Sequence, residues 1–254
     1  MRPNRVKQML REGKPAIGSW LVSGSPVAAE QMAHLGFDWL NIDQEHAAID
    51  ATLTQYLLQA ISTTETVPMV RVPWNDPAYI KRALDAGTYG LVIPMVSSAE
   101  EAQAVVRAAK YPPQGRRSVG GVRTRLYGGP DYVEHANDEM LVVVQIEHVD
   151  AVRNCEAILS TPGVDAYIVG PNDLCASMGL PASYDPNSPE FEEALDTVLK
   201  TAKRLGVPAG IHTSSGKAAA RRIEQGYQFV SIQSDVALMA QAARLAVADA
   251  RSAG

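Results

Sequence analysis

The sequence predicts a (β/α)₈ barrel, and three observations carry that reading. Short apolar, β-branched runs alternate with helical patterns, and eight such pairs can be counted along the chain. The runs are apolar on both faces, as parallel strands covered by helices require. The length, 254 residues, is common for one such barrel, so a single domain over residues 1–254 is expected.

Strands are expected at residues 17–21, 39–43, 67–72, 91–94, 141–147, 166–170, 209–212 and 229–233. Each is too short for periodicity to separate a strand from a buried helix, so punctuation decides. Gly36, Pro68, Gly90, Gly163, Pro208 and Gly226 fall at or just before strand starts. The helices carry their own signals. Ser25-Pro26 reads as an N-cap followed by proline in the first turn. Leu53, Tyr56, Leu57 and Ala60 mark one helical face at three- and four-residue spacing. Ser98 and Glu101 have the spacing of a capping box. Ser188-Pro189 opens a helix expected to bury Leu195, Val198, Leu199 and Ala202. Strict β/α alternation leaves an open doubly wound sheet or a closed barrel. No G-x-G-x-x-G turn follows the first strand, and eight units in this length favour closure. One insertion, residues 111–137, is rich in Gly, Pro and Arg and is expected to be either functional or a disordered, solvated loop.

Composition narrows the function. The apolar fraction of 46% suffices for a large core, and the net charge of −5 argues against a nucleic-acid partner. Cys155 and Cys175 lie in no C-x-x-C pair, so a reducing cytoplasm is the expected location. Residues 1–14 are polar, with no apolar core of a leader peptide. No apolar run approaches the ~20 residues of a membrane span, so no membrane partner is expected.

Barrel active sites lie at the C-terminal ends of the strands. The expected strands end near Trp20, in Asp43-Gln44-Glu45-His46, at Arg71, at Glu147 with Gln145 two residues earlier, in Gly170-Pro171-Asn172-Asp173, and at His212. An acid, a base, a guanidinium and two further carboxylates thus converge on one face. Each also has a structural reading. Asp43, Glu147 and Asp173 suit helix N-termini, Glu45 suits an orienting group, His46 a rim histidine, and Arg71 a partner for a neighbouring acid.

In these motifs the sequence resembles the HpcH/HpaI aldolases, class II pyruvate aldolases of the 4-hydroxy-2-oxo-heptanedioate and 2-dehydro-3-deoxy-sugar-acid type. The matching segments include Gly36-Phe37-Asp38-Trp39, Asp43-Gln44-Glu45-His46, Val70-Arg71-Val72-Pro73-Trp74-Asn75-Asp76-Pro77 and Pro94-Met95-Val96. Further matches are Tyr111-Pro112-Pro113, Gly115-Arg116-Arg117, Gln145-Ile146-Glu147 and Gly170-Pro171-Asn172-Asp173-Leu174. The similarity spans about residues 18–243. The resemblance implies that Glu147 and Asp173 ligate a divalent metal, that His46, held by Asp43, is the base, and that Arg71 contacts the keto oxygen. It implies that backbone N–H groups at Asn172 and Asp173 hold the pyruvate carboxylate. It implies that Asp85 reaches a neighbouring subunit's site, and that the last helix is exchanged in dimers that build a hexamer. Trp20, Gln145, Gly170, Pro171, Asn172, Arg123 and His212 complete the expected substrate site. Asn172, His148, His212 and the segment 121–129 depart from the family's common pattern, which bears on substrate identity.

The expected reaction is reversible cleavage of a 4-hydroxy-2-keto acid to pyruvate and an aldehyde through a metal-stabilised enolate. Charge on a keto oxygen is stabilised by a lysine Schiff base or a metal. None of the seven lysines lies in an expected strand, which disfavours the first. Two carboxylates without a nearby Cys suit a hard cation such as Mg²⁺, Mn²⁺ or Co²⁺. His46 is expected to take the hydroxyl proton, with Asp43 fixing its tautomer. The arginines of the insertion, Arg116, Arg117, Arg123 and Arg125, are candidates for binding a second polar group of the aldehyde. Alternatives on the same scaffold are a citryl- or malyl-CoA-type lyase, an oxaloacetate decarboxylase, or a non-catalytic barrel that binds a keto acid.

Overall fold

The computed structural model describes residues 1–252. Eight parallel strands close into a barrel in sequence order: β1 (Ala16–Leu21), β2 (Trp39–Asp43), β3 (Val67–Arg71), β4 (Gly90–Ile93), β5 (Leu141–Ile146), β6 (Ala166–Val169), β7 (Ala209–Thr213) and β8 (Phe229–Ser234). Buried strands on both faces leave two cores. Outward side chains such as Leu40, Ile42, Val70, Val142 and Val144 pack under the helices. Inward side chains such as Trp39, Met69, Val92, Val143, Ile168 and Phe229 fill the barrel.

The interior is packed in layers, as barrels of this size are. Near its base the rings of Trp39 and Phe229 stack with centroids 4.1 Å apart. Gly18 makes that possible: a Cβ there would lie 2.1 Å from the Trp39 ring. Strand alternation then carries the same inward parity upward. Residues 43, 71, 145 and 212 share it, so a polar layer sits above the apolar ones.

The expected N-terminal signals hold. Ser25 accepts from the Ala28 amide, and Ser98 and Glu101 form the capping box. The Ser188 helix buries Leu195, Val198 and Ala202 together with Phe191. One face differs: the helix Ala51–Ile61 buries Thr54, Leu57, Leu58 and Ile61, while Tyr56 is exposed. Polar Thr54 is drawn inward because its hydroxyl donates to the Asp50 carbonyl and accepts from Gln44, 2.7 Å each.

The insertion is also different from expectation. It contains two helices, Val122–Gly128 and Tyr132–Glu139, and it closes the underside of the barrel with the N-terminal helix Arg5–Arg11. Asn4 ties these parts together, its side-chain amide donating to the Tyr89 and Glu139 carbonyls at 2.9 Å. Arg117, fully buried, donates to the Tyr132 hydroxyl at 3.0 Å. The C-terminal helix Asp235–Ser252 departs from the barrel, and every residue from 241 to 252 is exposed. No described helix is long and apolar enough to cross a membrane.

Candidate active site

The polar layer lines a cavity of about 340 Å³ at the C-terminal mouth. Trp20, Asp43, His46, Arg71, Gln145, Gly170, Pro171, Asn172, Asp173 and His212 all face it. Glu147 lies just behind, 2% exposed.

The register pairs Asp43 directly with Arg71 on the adjacent strand. Arg71 donates from Nε and Nη2 to the two Asp43 oxygens at 3.0 and 2.7 Å, a bidentate fork. The amides of Glu45 and His46 also donate to Asp43 Oδ1, at 3.1 and 3.2 Å. Arg71 Nη1 meets Glu45 Oε2 at 3.1 Å, and the guanidinium lies 4.4 Å from the Trp20 ring centre. Asp43 is therefore saturated and does not hold the His46 ring, contrary to the sequence expectation. It holds the His46 backbone instead. The ring, 59% exposed at the mouth, has Glu45 Oε2 at 3.8 Å.

Glu147 is fixed from two sides. The Met95 amide donates to Oε1 at 2.8 Å, and the Gln145 side-chain amide donates to Oε2. Met95 sits in the left-handed region at φ 54°, a conformation that costs a non-glycine residue on the order of 1 kcal/mol or more. That turn aims its N–H at the carboxylate. Gly170 leaves the necessary space, since a Cβ there would fall 2.6 Å from Glu147 Oε2 and 2.8 Å from Gln145 Nε2. Neither Glu147 nor Asp173 is a helix N-cap. His148 and Gly170 occupy those positions, and Asp173 projects from the first turn of the helix Pro171–Ser177.

The site holds four carboxylates, Asp43, Glu45, Glu147 and Asp173, against the single guanidinium of Arg71. Burial pushes Glu147 up to about 7, and the charges of Glu45 and Asp173 add to the effect. Burial does the same to Glu45, also to about 7, partly offset by Arg71. Such an excess of buried negative charge fits a cation. The Gln145 Oε1 atom, buried without a partner, adds a further oxygen at the same place. Among the described residues no group of three or more His, Cys, Asp or Glu could hold a metal together. A cation on Glu147 and Asp173 would thus keep most of its coordination positions for water and substrate.

The remaining wall is aromatic. Trp20 and Tyr184 both approach the His212 ring edge-on, at 5.6 and 4.9 Å between centres. Burial, and then the nearby Arg71 charge, holds His212 far down, at about 3, so it is neutral.

Two expected residues lie elsewhere. Asp85 ends the helix Pro77–Asp85, which descends from the mouth, and it pairs with Arg117 at 3.4 Å on the underside. Arg123 is also on the underside, buried, with Nη2 donating to Ser62 Oγ at 2.7 Å and its guanidinium 5.2 Å from the Tyr127 ring centre. It does not line this chain's pocket, where the sequence reading places it. The arginine-rich segment follows a helix, so the topology carries it to the end of the barrel away from the chemistry. Sequence reasoning did not single out the roles of Met95, Tyr184 or Ser231. A turn residue with positive φ, a loop aromatic and a mid-strand serine carry no local signature of such roles.

The chain is similar to known proteins along nearly its whole length. The chain is 43% identical over 245 residues to a protein named 4-hydroxy-2-oxo-heptane-1,7-dioate aldolase from Escherichia coli, covering 94% of this chain and 92% of that one. A solved HpcH/HpaI aldolase/citrate lyase family protein from Burkholderia cenocepacia J2315 superposes with a TM-score of 0.93 at 40% identity, covering 98% and 99% of the two chains. An HpcH/HpaI aldolase from Desulfitobacterium hafniense DCB-2 gives 0.90 at 33% identity, covering 96% of each. Residues 16–242 match the HpcH/HpaI aldolase/citrate lyase family as a whole, and the chain belongs to that family.

Proposed function

We propose that this protein is a divalent-metal-dependent pyruvate aldolase that cleaves 4-hydroxy-2-keto acids reversibly to pyruvate and an aldehyde. The observation that carries this reading is the pair Glu147 and Asp173 at the barrel mouth, in a pocket whose negative charge exceeds that of its one guanidinium. No lysine lines the pocket, which disfavours a Schiff base. Mg²⁺, Mn²⁺ or Co²⁺ held by Glu147 and Asp173 would supply Lewis-acid stabilisation of negative charge on the substrate's keto oxygen.

The chain's own residues do the rest. Arg71, locked by Asp43 and stacked on Trp20, presents a preorganised positive group to the same oxygen. The amides of Asn172 and Asp173, in the first turn of the helix Pro171–Ser177, receive the substrate carboxylate. His46 removes the C4 hydroxyl proton. The C3–C4 bond then breaks, its electrons pass to the keto-acid fragment, and the aldehyde leaves towards Trp20 and His212. A proton delivered to C3, the equivalent of the one His46 took up, completes pyruvate and resets the base.

The assembly we propose is a homohexamer, a trimer of dimers that exchange the C-terminal helix. The exposed apolar side chains Val236, Met239, Leu245 and Val247 on that helix support it. So does the apolar groove of about 540 Å³ lined by Met32, Leu35 and Phe37 beside its start. Asp85 would then serve a neighbouring subunit's pocket. The unpaired, buried Cys155 and Cys175 support a cytoplasmic location.

The test is pyruvate release from a panel of 4-hydroxy-2-keto acids with Mg²⁺, Mn²⁺ or Co²⁺ and with EDTA. Release that requires metal and disappears in Glu147→Ala is expected. Release that survives EDTA would remove the metal from the reaction.

A further inference from the structure

Three strands meet at one buried hydroxyl. Ser231, on β8, is fully buried. Its Oγ lies 2.9 Å from Trp20 Nε1 on β1 and 2.6 Å from His212 Nδ1 on β7. An indole N–H can only donate, so Ser231 Oγ accepts from Trp20. The serine's own hydrogen then needs an acceptor, because buried hydroxyls are paired. Among the described residues the only acceptor in reach is His212 Nδ1. A neutral imidazole that accepts at Nδ1 carries its proton at Nε2. His212 is neutral, as its buried setting beside Arg71 requires. Nε2 makes no hydrogen bond to any described residue, and the ring lines the pocket.

We propose that the relay Trp20–Ser231–His212 makes His212 a fixed N–H donor that selects an aldehyde bearing an oxygen substituent next to its carbonyl carbon, a hydroxyaldehyde in chemical class. This rests on the aldolase reading and names the substrate class within it. The donor is set by the strands themselves, since the register pairs His212 with Ser231 directly. Tyr184 covers the ring's other side. Its loop is strapped to the barrel by Asp185, which pairs with Arg221 at 2.6 Å and Arg222 at 3.3 Å. The strap holds Tyr184 beside the His212 ring at the pocket wall.

The experiment uses the metal-loaded full chain in the bond-forming direction, with pyruvate and either glycolaldehyde or acetaldehyde. A neutral hydrogen bond contributes about 0.5–1.5 kcal/mol, so glycolaldehyde should be favoured in kcat/KM by about 2- to 12-fold, mainly through KM. His212→Leu should bring the two aldehydes to equal kcat/KM, and His212→Gln, which keeps an N–H donor, should retain part of the preference. In parallel, ¹⁵N NMR of the imidazole in the metal-free protein should show a neutral ring protonated at Nε2 from pH 5 to 8, with Ser231→Ala shifting the tautomer balance. A ring protonated at Nδ1, or a preference unchanged in His212→Leu, overturns the proposal. No turnover of either aldehyde, with the expected tautomer present, overturns the aldolase reading itself and the selectivity with it.

Discussion

Removing the divalent cation should make this protein's stability fall as pH rises. Glu147 ionises near 4.5 in the unfolded chain and near 7 in the folded one. Between those values the native state holds a proton that the unfolded state has lost. The glutamate's contribution is therefore complete below about pH 4.5 and is lost as pH rises through 7. A shift of about two and a half pH units corresponds to about 3 kcal/mol. In a chain of this size each kcal/mol moves Tm by about 2–4 °C, so Glu147 alone accounts for about 6–12 °C. The measurement is thermal unfolding in EDTA from pH 5 to 8, at one protein concentration, for wild type and Glu147→Gln. The variant keeps the shape and loses the ionisation, so its Tm should fall less across that range by about this amount. Adding Mg²⁺ at pH 8 should restore the wild type by mass action and leave the variant where it was. Parallel wild-type and variant curves would refute the argument, because Glu147 would then titrate alike in both states.

Three further outcomes follow from the geometry. His46→Ala should lower kcat by about 10²- to 10⁴-fold, as loss of a general base does, with Tm unchanged because the ring is exposed; steady-state kinetics with an unfolding control decides. Gly170→Ala places a methyl 2.6 Å from Glu147 Oε2, so Mg²⁺ affinity measured by calorimetry should weaken by about tenfold or more, the scale on which disturbed ligand orientation acts. Arg123→Ala should lower Tm through the loss of its contacts to Ser62 and Tyr127 while KM stays the same, and a raised KM would return that arginine to substrate binding.

Much of the barrel was legible in the sequence because parallel strands buried on both faces leave apolar runs edged by glycine and proline. The strand ends agree with expectation to within about a residue, and the side chains at those ends, from Asp43 to His212, do meet in one pocket. Local patterning worked there because the fold converts strand position directly into place. It failed where partners come from distant segments. Asp43 looked like a partner for the His46 ring three residues on, yet the β2–β3 register gives it to Arg71. The 111–137 segment looked functional because it is long and basic. Its place after a helix sends it to the underside, where Arg117 and Arg123 pack among tyrosines. Helix Arg5–Arg11 carries too few apolar residues to announce itself, and it forms because Val6 and Leu10 plug the barrel's base.

The Asp43–Arg71 fork has an evolutionary consequence. Both residues are strand residues in direct register, and all four donors to the carboxylate come from β3 or from the backbone beside β2. The positive group at the centre of the pocket is thus anchored to the sheet and to Glu45 and His46 in the turn just after β2. Lineages, or engineers, can exchange the loop carrying Tyr184 to admit a different aldehyde while this charge stays where it is. A one-residue insertion in either strand would turn one partner out of the barrel and dissolve the fork. New substrates should therefore arise in this scaffold by loop replacement, with β2 and β3 kept intact.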